Sequence, residues 1–336
     1  MFPSMPKDDP WDADASRDVA RLTTPGRPKA GMYGAVPDAE DEKSAPSESG
    51  EDEEEFEEIE VVPVRRPLSV AIGGFAALLA TALIIGVQTT GPDTRAPYAI
   101  VLFGVQLIGL LAWTMALRPP AAGATAGVIG VAGLIACYLT VTAGEPGLTP
   151  LLWVLLGGFV AAVVGQLIRA EDRQRVRDSW RTTLLIAAGV VAYAIPIVLT
   201  RQPVGSQVVV VTCAAAGLAL FVSRLTDAVF PKPRIAAQVP RGAVGIVLGA
   251  MLGTLAGGML GSYLVYPFTP AKGAIVGLVA AVAAILVDLA VNFGEAGRRL
   301  AGEAPTFWLA RHMQGPLGGL ALSFPAAYVL VHLYLT

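Results

Sequence analysis

Charge is scarce in this sequence. Only 15% of its 336 residues are Asp, Glu, Lys or Arg, against roughly 25% in soluble domains, and that deficit excludes a soluble globular enzyme. A net charge of −3 likewise excludes a nucleic-acid partner, which would require a basic surface to neutralise phosphates. The two cysteines, Cys137 and Cys213, both sit in long apolar runs and supply neither a disulfide framework nor a zinc set. His312 and His332 are isolated, so they make no metal motif. There is no P-loop, no His-Glu-x-x-His, no nucleophile elbow and no arrangement resembling a triad.

What the chain has instead is apolar length. Hydrophobic residues make up 54%, and the mean hydropathy is +0.60. A membrane helix requires ~20 mostly apolar residues, and from Leu68 onward such runs fall near 68–88, 97–117, 122–143, 149–168, 183–200, 205–223, 243–264, 272–292 and 316–335. Breaks come at Gly91-Pro92, Pro119-Pro120, Glu145-Pro146 and Pro267 to Pro270, where glycine and proline punctuate helices. The expected fold is all-α, a polytopic membrane protein with about nine transmembrane helices behind a disordered acidic tail. Three regions follow: the tail over 1–64, helices 1–4 over 65–180, and helices 5–9 over 181–336. Arg outnumbers Lys by 19 to 5, a bias that points to a GC-rich bacterial genome.

The small net charge hides two opposed halves. Residues 1–64 hold 18 acidic and 6 basic residues, including the block EDEEEFEEIE from Glu51 to Glu60. Such a segment lacks the apolar residues to bury a core and is expected to stay disordered. It is a solvated, self-repelling tail, or one that docks a basic partner or is modified at Thr24, Ser44, Ser47 or Ser49. Its charged, non-apolar start argues against a signal peptide. Residues 65–336 hold 9 acidic and 18 basic residues. With the tail inside, segments 65–67, 118–121, 169–182, 224–242 and 293–315 face the cytoplasm and hold 15 of those basic residues. Only Arg95, Arg201 and Lys272 lie on the other side. The positive-inside rule then places the N-terminus in the cytoplasm and the C-terminus outside, in a bacterial cytoplasmic membrane.

Several features within the spans carry possible roles. Gly245, Gly249, Gly253, Gly257 and Gly261 recur every four residues and form one smooth helix stripe for close packing, for a dimer seam or for a lipid chain. Asp288 is a costly intramembrane carboxylate on the same helical face as Asn292. It is the candidate catalytic or metal-binding group, with Asp227 second. Arg224 and Asp227, three apart, are placed to pair on one helix face. Gln88, Gln106 and Gln166 read as hydrogen-bonded helix glue. Trp113, Trp153, Trp180, Trp308, Tyr98 and Tyr263 read mostly as interface anchors.

The run SRLTDAVFPKPRIAAQVPRGAVGIVLGAMLG, from Ser223 to Gly253, followed by Val287-Asp288-Leu289, resembles the phosphatidate cytidylyltransferase (CDP-diacylglycerol synthase) family in order and spacing of features. Val239-Pro240-Arg241-Gly242 stands where that family has Ser-Pro-Lys-Lys, and Gly245 matches the glycine after its Glu. An ungapped register runs on from Asn292 to Pro316 and reaches Pro325, but the signature chemistry is replaced. The family's Lys-Arg falls on Glu295 and Ala296, its Lys-Asp on Ala301 and Gly302, its His-Gly-Gly on Ala310, Arg311 and His312, and its Asp-Arg on Gly315 and Pro316. The resemblance implies nine spans and a cytoplasmic site. Of the hard oxygen ligands that Mg2+ chemistry on CTP would require, only Asp288 and Asp227 remain. Arg234, Arg241, Arg298, Arg299 and Arg311 remain to bind an anionic head group. The leading expectation is therefore a non-catalytic relative that binds anionic phospholipid, or a membrane-protein partner or second copy. The alternatives are an active CTP-dependent nucleotidyltransferase with a rebuilt site, and a transporter or flippase.

Overall fold

The computed structural model describes residues 61–89, 94–169, 173–264, 266 and 268–335. The expected acidic tail, its Glu51–Glu60 block and its candidate modification sites therefore lie outside the described residues. A chain in hydrocarbon has no water to satisfy its peptide groups, so each apolar run closes its own hydrogen bonds as a helix. The helices are α1 (Arg66–Gln88), α2 (Ala96–Leu117), α3 (Ala122–Thr142), α4 (Thr149–Arg169), α5 (Arg173–Ala192), α6 (Ile195–Thr200), α7 (Gly205–Val229), α8 (Ala243–Tyr263), α9 (Pro270–Leu300) and α10 (Trp308–Leu330), with a π-helical turn at Val331–Leu335. Proline stands at the start of α1, α2, α6 and α9, where its missing N–H leaves no helical bond unmade.

Among the described residues, nine helices are long and apolar enough to cross a membrane, the fifth (Ser179–Thr200) combining α5 and α6 across a turn before Pro196. The protein is a helical multi-pass membrane protein, as expected from the apolar runs. Four helix ends depart from those runs. Helix α5 begins at Arg173 rather than near 183, α7 continues to Val229, α9 to Leu300, and α10 begins at Trp308. Hydropathy ends a span at its first charges, whereas helical hydrogen bonding continues through them. The overruns matter because they place Arg224, Asp227, Glu295, Arg298, Arg299 and Arg311 on helices instead of in loops.

Helix α7 lies at the centre of one half of the bundle, packed against α1, α8 and α9. Helix α8 buries only its five stripe glycines. A Cβ at Gly249 would lie 2.5 Å from the Ala219 carbonyl oxygen of α7, and one at Gly257 would lie 2.4 Å from the Gly273 oxygen of α9. The backbones themselves are in contact, which replaces side-chain interlocking with dispersion along the whole helix. In the other half, α2 to α5 are fastened by polar contacts. Gln106 donates to the Val190 carbonyl (2.9 Å) and accepts from the Cys137 thiol (3.3 Å). Gln166 donates to the hydroxyls of Thr125 (2.9 Å) and Thr183 (2.8 Å). Gln88, by contrast, is exposed at the end of α1.

Helix α5 runs unbroken across residue 180, and α10 packs against both α2 and α9. Trp153, Trp180, Trp308 and Tyr263 are exposed, as anchors are, but Tyr98 is 1% exposed. Its ring packs in the core over Gly86, which corrects its reading as an interface residue. At the end of α3 opposite Arg118, Arg201 donates to the carbonyls of Thr140 (3.1 Å), Gly144 (2.8 Å) and Ala143, closing carbonyls that a helix C-terminus leaves open.

The glycine contacts give a paired prediction. Gly257→Ala drives a methyl into the α9 backbone and is expected to cost about 1–3 kcal/mol, read as a fall in the thermal midpoint of the detergent-purified protein. Gly258→Ala, whose Cβ would meet Ala274 and the Pro270 carbonyl only at 3.5 Å, is expected to be neutral or mildly stabilising.

Candidate functional site at the arginine-rich end of the bundle

Between α7 and α8 the chain folds back on itself. Ile235 N–H donates to the Arg241 carbonyl (3.2 Å), and Ala243 N–H donates to that of Pro233 (2.9 Å). The segment before α1 lies against this loop, with Val62 N–H donating to the Ala237 carbonyl (3.1 Å) and Arg234 donating to the Val62 carbonyl. Val239 and Arg241 are both 0% exposed. The fold-back delivers the Arg241 guanidinium to a point between α7 and α9.

Four charges meet there. Arg241 is 2.8 Å from Asp227 and 3.2 Å from Asp288, and Arg224 is 2.5 Å from Asp288. Arg241 also donates to the Ser223 hydroxyl (3.1 Å), and the Gly242 N–H donates to Asp227 (2.9 Å). Two guanidinium and two carboxylate groups leave the cluster formally neutral. Arg224 and Asp227 do not pair with each other despite their spacing, because each turns to a partner from another segment. Burial, with Arg224 adding to it, pushes the Arg241 guanidinium below the ordinary arginine value, while Asp288 and Asp227 oppose the shift. Glycines make the room: a Cβ at Gly245 would lie 2.7 Å from an Asp227 oxygen, and one at Gly315 of α10 would lie 1.9 Å from an Asp288 oxygen.

The same geometry tests the metal expectation. Mg2+ demands a near-octahedral shell of oxygens. Both oxygens of Asp288 face guanidinium nitrogens, and those of Asp227 face Arg241 and the Gly242 N–H. Among the described residues no group of three or more His, Cys, Asp or Glu side chains converges. The residues at Asp288 and Asp227 do not fit a divalent cation in this arrangement.

A second cluster lies further along α9 and α10. Glu295 pairs with Arg298 (2.7 Å), Arg299 (3.4 Å) and Arg311 (2.9 Å). One carboxylate against three guanidinium groups leaves an excess of two positive charges, and the Arg299 side chain is 41% exposed. Nearby, Arg118 donates to the Pro305 carbonyl (3.2 Å), and His312 packs 5.9 Å from the Trp308 ring.

The five arginines expected to hold a head group are thus divided. Arg298, Arg299 and Arg311 converge on Glu295. Arg234 reaches the Val62 carbonyl, and Arg241 is sealed inside the neutral cluster, so its assignment to a ligand is corrected: as placed, it has no surface to offer. One participant, Glu295, and one pairing, that of Arg241 with Asp288, were missed in the sequence. Glu295, three and four residues before Arg298 and Arg299, follows the helical pairing rule and was findable. Arg241 as partner of Asp288 had no local signal, since a loop brings it there. No family model, curated protein sequence or solved structure matches this chain.

Asp288→Leu is expected to cost about 3–5 kcal/mol by leaving a buried positive charge uncompensated. Adding Arg224→Met restores the charge balance and is expected to recover most of that loss, read by thermal unfolding in detergent. A double variant no more stable than the single would mean that the charges are not coupled.

Proposed function

We propose that this protein is a non-catalytic membrane relative of the phosphatidate cytidylyltransferases that holds an anionic phospholipid head group at its arginine-rich end. The observation that carries the reading is the contrast between the two clusters. The carboxylates that would have to bind Mg2+ are consumed by arginine, whereas the cluster around Glu295 keeps surplus, partly exposed guanidinium charge. Arg298, Arg299 and Arg311 are the residues assigned to the ligand, since planar guanidinium groups match phosphate oxygens two at a time. The excess of basic residues on one set of connections supports an orientation with the N-terminus inside and the C-terminus outside, and the bias of Arg over Lys supports a bacterial cytoplasmic membrane.

The test uses the full-length purified protein with CTP, phosphatidate and Mg2+. The expected outcome is no CDP-diacylglycerol, together with bound phosphatidate seen by native mass spectrometry and reduced about thirtyfold in Arg298→Gln/Arg299→Gln, at roughly 1 kcal/mol for each of the two basic side chains near an anionic surface. Product that disappears in Asp288→Asn would establish a rebuilt active site and overturn the proposal. For orientation, Lys272→Cys in intact cells is expected to react with an impermeant maleimide, and Arg177→Cys only after permeabilisation.

A further inference from the structure

Helix α4 is the least enclosed of the nine apolar helices, burying only Leu151, Ala162 and Gln166. It packs against α3 and α5, and its outer surface carries exposed Leu152, Leu156, Val160 and Val164. Towards its C-terminal end a groove opens between α4 and α5, lined by Val163, Leu167, Val176, Arg177 and Trp180. Its depth in the bilayer follows from α5, whose first turns, Arg173 to Asp178, precede the apolar stretch beginning at Ser179. Trp180 thus stands at the boundary, where an indole is best placed. The Arg181 guanidinium sits 5.5 Å from the Trp180 ring centroid. Residues 163–181 carry five arginines against three acids.

We infer that this groove seats one anionic phospholipid from the surrounding bilayer. Arg177 and Arg181 take the phosphate, and an acyl chain lies along Val163, Leu167 and Val176. The occupant is chosen by what the groove joins: an apolar wall at hydrocarbon depth and guanidinium groups at head-group depth, which a charged lipid satisfies in one molecule. A groove open to the bilayer is filled by lipid in any case, so the arginines decide which lipid. The walls are fixed beforehand. Gln166, fully buried beside Val163 and Leu167 in sequence, ties α4 to Thr125 of α3 and Thr183 of α5, so little ordering is required on binding. The groove belongs to α4 and α5, whereas the Glu295 cluster belongs to α9 and α10, and the inference stands independently of the function proposed above.

The test is quenching of Trp180 fluorescence by brominated lipids in vesicles containing the full chain, with the Trp180→Phe protein subtracted as background. Brominated phosphatidylglycerol is expected to compete roughly five- to tenfold better for the site than brominated phosphatidylcholine, about one surface basic contact or slightly more. In Arg177→Gln/Arg181→Gln that preference is expected to fall to near unity, with quenching by both lipids retained. In Arg298→Gln/Arg299→Gln it is expected to persist. Equal quenching by both lipids in the unaltered protein, or a preference that survives loss of Arg177 and Arg181, overturns the inference. Quenching by neither lipid also overturns it, because a second copy or another protein would then cover the groove.

Discussion

Arg241 bridges two carboxylates at once, and the arrangement of this end of the molecule depends on that. Taken singly, Asp227 on α7, Asp288 on α9 and a fully buried arginine in a loop would each be several kcal/mol too costly to enclose. Together with Arg224 they cancel. The condition is geometric: α7, α9 and the fold-back loop must hold a single relative placement for the contacts of 2.5 to 3.2 Å to close. A well-packed apolar replacement of such a cluster is often as stable. What the ions supply here is a fixed point of attachment for the fold-back loop, between α7 and α9.

Glycine makes that placement possible. Between hydrocarbon-facing helices there is little hydrophobic gain from association, because lipid tails are as apolar as leucine. Helix α8 therefore turns glycine inward and places Met251, Leu255 and Met259 outward. Its close approach to α7 and α9 continues at Gly245, where the missing side chain leaves space for Asp227, and has a counterpart at Gly315 on α10 beside Asp288. The packing stripe and the charged cluster are thus parts of one construction.

The spans were legible because the cost of apolar exposure to water acts on every residue of a run, so the nine runs correspond, among the described residues, to nine helices long and apolar enough to cross a membrane. Their ends were not, since a helix such as α9 carries its hydrogen bonding eight residues beyond Asn292 through Glu295, Arg298 and Arg299. Asp288 was conspicuous by its position alone, but its partners were not: the local spacing rule offers Arg224 to Asp227, and tertiary geometry sends Arg224 to Asp288 instead. Tyr98 failed as an interface residue for a similar reason. Proximity to a span end fixes depth only, and the rotation of α2 sends the ring inward, over Gly86.

The 64 positions that separate Arg224 from Asp288 set an order of events during synthesis. Helix α7 leaves the ribosome with both its charges, and Arg241 follows within a turn of the loop, but Asp288 does not exist until α8 and most of α9 have been made. Until then two cations share one anion. The neutral cluster that joins α7, the fold-back loop and α9 can therefore close only after the last of these segments has emerged.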